Sequence, residues 1–169
     1  MRQATSVALS ALIVSAAYVS APAQGQVATT AYVGVRPCRV ADTRLAGGPL
    51  AGGETRQFRV LTDGNPLDFQ GGNPNGCGIP FDAVVVLLNF VAVDPDGFGH
   101  LTAFGAAEQQ PLAAVLSYGP GTTIANAVPI NVAPADCPAV VGEPCGEFNV
   151  VAGVSGTDIV IDVYGYFID

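Results

Sequence analysis

The 169 residues include 14 Asp or Glu against six Arg and no Lys, for a formal net charge of −8. Nucleic-acid binding and adsorption to anionic lipid both need a basic patch that such a composition lacks. One His and no Trp leave few groups that can be tuned as acid, base or nucleophile near neutral pH.

Residues 1–23 read as a secretory signal. Arg2 supplies a minimal positive start, residues 7–19 an apolar stretch, and Ala21, Pro22 and Ala23 a small-residue cleavage site. The apolar stretch is short and rich in Ala and Ser for a membrane span. The chain beyond it, residues 24–169, has the size of one domain. Its four Cys, an even number behind an export signal, point to structural disulfides in an oxidising compartment. Zinc is disfavoured, because no two Cys stand in a C-x-x-C pair and the single His, His100, is remote from all of them.

From residue 24 onward, Gly and Pro punctuate short apolar segments and no helical periodicity lasts beyond two turns. Strands are expected at residues 33–41 and 55–61, followed by a Gly-, Asn- and Pro-rich loop at 62–80. Residues 83–93 form a nearly continuous apolar run broken by Asn89. Pro95 and Gly97 then turn the chain into a strand at 99–104, and the pair reads as a hairpin. Because the run is apolar on both faces, a loop or a partner should cover its outer face. Further strands are expected at 113–118, 123–132, 147–152 and 158–167, with a second loop at 133–144 beside Cys137 and Cys145. In the last strand Ile159, Ile161, Val163 and Phe167 are assigned to the core, and Asp158, Val160, Asp162, Tyr164 and Tyr166 to the wetter face. Seven to nine short strands suggest an antiparallel two-sheet β-sandwich, with a closed β-barrel as the alternative. Among three possible disulfide connectivities, Cys38–Cys77 and Cys137–Cys145 is expected.

The run from Arg39 through Asp42 and Thr43 to Arg44, then Gly47 to Leu50, Gly53 to Thr55, Cys77 to Pro80 ahead of the long apolar strand, and the closing Asp162 to Phe167 resemble a module widespread in secreted bacterial proteins. That family is largely uncharacterised and occurs alone, in tandem or beside enzymatic domains. The resemblance covers most of residues 24–169 and implies an all-β extracellular module without an established activity. The loop holding Cys137 and Cys145 departs from it. The residues themselves give the opening motif a structural role: Asp42 and Thr43 can bond the backbone where the strand ends, with Arg39 and Arg44 as charge partners and Asp162 as a recipient.

Catalytic readings are thin. A serine hydrolase would rest on His100 with Ser117 or Ser155, neither Ser in a nucleophile elbow. Asp94 and Asp96 before Gly97 match half of a calcium loop and lack the remaining ligands, so a plain turn is the better reading. Tyr164 and Tyr166, with Asp162, are the candidate binding residues for a glycan or protein. The sequence thus favours a non-catalytic secreted module that acts through surface contacts, including self-association, with no cofactor, no nucleic acid and no membrane insertion. A carboxylate-dependent extracellular hydrolase is the alternative. Intact mass of the exported protein should correspond to a chain starting at Gln24, and a product retaining Met1 would refute the signal reading.

Overall fold

The computed structural model describes residues 30–62, 64–132 and 147–168. The expected signal segment and cleavage site, Cys137, Cys145 with their expected disulfide, and residues 133–144 lie outside them. Strand Val85–Val93 (β3) shows how the sequence makes the fold. Its β-branched and aromatic residues favour extended backbone, and burial alternates strictly: Val86, Leu88, Phe90 and Ala92 are fully buried, while Val85, Leu87, Asn89 and Val91 are half-buried. One row faces the core and the other faces outward.

Around it the chain forms β1 (Ala31–Asp42), β2 (Thr55–Phe58), β4 (Gly99–Gly105), β5 (Leu116–Tyr118), β6 (Thr123–Asn131), β7 (Phe148–Gly153) and β8 (Asp158–Ile168). All pairings are antiparallel. One sheet has the order β1-β8-β3-β6 and the other β2-β7-β4-β5. This is the expected two-sheet sandwich, with eight strands among the described residues, and neither sheet closes into the alternative barrel. Phe90 from one sheet meets Phe148 of the other edge-on, ring centroids 6.2 Å apart, and Phe58 stacks on Phe148 at 5.9 Å. Such pairs add to the area they bury and lock the sheets together.

The expected hairpin of residues 83–93 with 99–104 does not form. β3 pairs with β6 and β8, whereas β4 pairs with β5 and β7, so the turn after β3 carries the chain across to the other sheet. Its backbone is anchored accordingly, with Asp94 N–H donating to the Thr122 carbonyl and Asp96 N–H to that of Gly156. The last crossing in the opposite direction, from β7 to β8, is a tight turn in which Val154 has φ 76° and Ser155 N–H donates back to Gly153. A β-branched residue there is strained backbone.

In the loop expected at 62–80, residues 64–80 lie along the free edge of β1. It contains a 3₁₀ turn, Asp68–Gln70. Gln70 donates through its side-chain amide to the carbonyls of Val40 and Arg59 and accepts the N–H of Arg59, while Asn73 N–H donates to the Arg39 carbonyl. An edge that would otherwise template a foreign strand is thereby covered. Cys77 then closes the expected bond to Cys38, a loop of 39 residues. Replacing both Cys by Ser should cost about 4 kcal/mol on chain-entropy grounds, read as a lower midpoint in denaturant unfolding; an unchanged midpoint would show that the bond contributes nothing to stability.

Candidate functional site

The residues of the opening motif meet those of the closing strand. Arg39 lies opposite Asp162 across β1 and β8, and its Nε donates to the Asp162 carboxylate at 2.6 Å while Nη1 donates to Asp42 at 2.9 Å. Arg44 grips Asp42 with two parallel bonds, Nε to Oδ1 at 2.8 Å and Nη2 to Oδ2 at 2.7 Å, and its backbone N–H donates to the same carboxylate. The two-pronged grip expected of an Arg therefore falls on Asp42, and Asp162 receives a single bond. Thr43 completes the seam: its hydroxyl donates to Asp158 at 2.6 Å and accepts the N–H of Ile159. Asp42 is buried, yet both guanidinium groups remain about half exposed. The bonds from Arg44, helped by the charges of both Arg, hold the Asp42 carboxyl below its ordinary range even though burial works the other way. Three committed partners on one carboxylate leave it nothing to offer a ligand, so Asp42 is structural.

The candidate binding strand is altered by a bulge. Along β8, Val163 lies opposite Leu88 and Gly165 opposite Leu87, which leaves Tyr164 unpaired between them; on the other side β1 spends Val35, Arg36 and Pro37 on the same interval. A bulge shifts the alternation by one. Tyr166 consequently lies opposite Val86, a core residue, and packs against the core. Phe167 lies opposite Val85 and turns outward, where its ring meets Tyr32 at 5.1 Å. The assignment of Phe167 to the core and Tyr166 to the wetter face is thus reversed, and Tyr164 and Tyr166 do not form one paired surface. Tyr32 itself was not foreseen. It is 51% exposed, covers Gly165 so closely that a Cβ there would collide with its ring, and donates its hydroxyl to the Tyr164 carbonyl. The isolated Gly165 inside a strand was the available signal, since such a Gly marks a bulge or a close approach.

Outward on this sheet, the Tyr32 and Phe167 rings adjoin Val85 and Leu87 of β3, with Pro129 of β6 opposite Leu87. The polar part of the same face is Asn89, opposite Asp162. An aromatic pair bordered by aliphatic side chains and then by an ion-paired seam is suited to contact, not to proton transfer.

The catalytic candidates are dispersed. His100 and Ser117 do lie directly opposite each other on β4 and β5, but no hydrogen bond joins them. The imidazole instead leans over Gly153 of β7, where a Cβ would strike it. Ser155 donates its hydroxyl to the Phe98 carbonyl. Asp94 and Asp96 sit in the sheet crossing, and among the described residues no three His, Cys, Asp or Glu gather as metal ligands. Glu147, which sequence reasoning did not single out, is the carboxyl pushed above its ordinary value, by burial first of all. It accepts the Val60 N–H at 2.6 Å and faces Arg59 at 3.5 Å, a structural use that ties the exit of β2 to the start of β7.

Comparison with known protein families, with curated proteins and with solved structures returns no match for this chain.

Asp42 and Glu147 impose opposite pH dependences. The folded pKa of Asp42 lies below 3.8, so its contribution is complete at neutral pH and is lost as pH falls through the folded value. That of Glu147 lies above 4.5, so its contribution is complete below 4.5 and declines as pH rises through the folded value. Asp42→Asn should lower stability by about 2 kcal/mol at pH 7, and the gap from the unaltered protein should close as pH drops below 3.8. Urea unfolding at several pH values measures this, and a gap independent of pH would remove charge from the explanation.

Proposed function

We propose that this protein is a non-catalytic, secreted extracellular module that works through contact, with an extracellular protein, a glycan or a second copy of itself as partner. The observation that carries the reading is the outward row of the β1-β8-β3-β6 sheet, where Tyr32 and Phe167 pair beside half-buried Val85 and Leu87. Rings that are rigid and part-apolar supply contact area with little entropy to lose. The Cys38–Cys77 bond supports an oxidising compartment, as does the signal-like character of residues 1–23. Among the described residues no helix is long and apolar enough to cross a membrane. The likeness of the opening and closing motifs to a widespread secreted bacterial module agrees with this reading. The acidic charge favours dispersal in solution and disfavours anionic partners on this face.

Sedimentation over a concentration series, together with a glycan array, tests the proposal. Leu87→Arg combined with Tyr32→Ser should weaken whichever association is observed at least tenfold while circular dichroism stays unchanged. Hydrolysis of a glycan or peptide by the unaltered protein, abolished at a single carboxylate, would overturn it in favour of the hydrolase alternative.

A further inference from the structure

A cleft of about 600 Å³ lies between β1 and residues 71–77, on the far side of that strand from the aromatic pair's neighbours on β8. Its lining inverts the charge of the molecule. Of the 12 lining residues, two are Arg36 and Arg39 and none is Asp or Glu, although acidic residues outnumber basic ones 14 to six in the chain. Arg36 projects from the stretch of β1 that is spent on the bulge. Among the described residues, Arg39, Arg44, Arg56 and Arg59 each have a carboxylate within 3.5 Å, whereas Arg36 is exposed and has none. Arg39 engages two donors with Asp42 and Asp162, out of the five a guanidinium carries.

We propose that this cleft captures the C-terminal carboxylate of a peptide. Arg36 and Arg39 both line the cleft, and a guanidinium suits a planar carboxylate, which Arg binds through paired donors; Arg36, without a carboxylate among the described residues, is the one assigned to the ligand. Apart from Asn73, the other side chains of the wall are apolar, among them Val35, Pro37, Pro74 and Leu45, the last 75% exposed, and fit an aliphatic side chain next to that carboxylate. Among the described residues no aromatic ring lines the cleft, so they offer no stacking platform that would favour an acidic sugar. The Cys38–Cys77 bond joins the two walls and limits the ordering lost on binding. The proposal does not depend on contact through the outer aromatic face.

Isotope-labelled protein titrated with N-acetyl-leucine should show saturable amide shifts confined to residues 35–39, 45 and 71–77. N-acetyl-leucinamide, which lacks the charge, should bind at least tenfold more weakly, as should inorganic phosphate and glucuronate. Arg36→Gln should reduce N-acetyl-leucine binding at least tenfold without a change in melting temperature, because among the described residues the exposed side chain has no ion-pair partner. Equal binding of the amide, equal binding of phosphate or glucuronate, undiminished binding to Arg36→Gln, or no saturable shift at all would each overturn the proposal.

Discussion

The architecture depends on the pairing of its first strand with its last. Among the described residues β1 has no other strand neighbour, so its backbone is held to the sandwich by β8 on one edge and by the loop that covers part of the other. Backbone bonds alone leave such a pair free to slip by two residues, and β1 is already irregular in register at two places. The Arg39–Asp162 bond and the Thr43 bonds to Asp158 and Ile159 remove that freedom, because each is satisfied in only one alignment. The Cys38–Cys77 bond and Gln70 then hold the loop on the opposite edge of the same strand. Polar side chains set the register here, and the apolar core supplies the bulk of the stability around it.

The two faces of the first sheet divide the work. Inward, Leu88, Phe90, Ile161 and Val163 interdigitate with Leu101, Phe148 and Val150 from the second sheet to make a continuous core. Outward, the same strands keep aliphatic and aromatic residues where solubility alone would ask for charged ones. The bulge at Tyr164 is the device that lets one strand serve both, since it turns Tyr166 against the core and frees Phe167 for the outer face.

Much of the fold was legible because strand periodicity and Gly/Pro punctuation are local signals. Residues 83–93, 99–104, 123–132 and 158–167 all became strands within two residues of their expected bounds. Pairing was less legible. Asp94 to Gly97 has the chemistry of a hairpin turn, but a turn that crosses between sheets needs the same residues, and only the partners of the flanking strands distinguish the two. The faces of Tyr166 and Phe167 were misjudged for a related reason: a period-2 reading assumes an unbroken ladder, and a single unpaired residue inverts all that follows. The role of Arg39, Asp42 and Arg44 was readable, because opposite charges flanking a strand end have few other uses. Glu147 was not, since burial of a carboxyl is decided by distant strands.

The adjacency of β1 and β8 also bears on the order in which the molecule can come into being. The Arg39–Asp162 contact spans 123 residues, so the first strand to leave a ribosome waits for the last before it has any strand to pair with. Contacts of that separation close slowly, and for several seconds at ordinary synthesis rates of about 5–20 residues per second the nascent chain holds an unpaired edge. In a crowded cytoplasm this delay invites aggregation. For a chain handed across a membrane while still unfolded, it means that no finished domain stands in the channel.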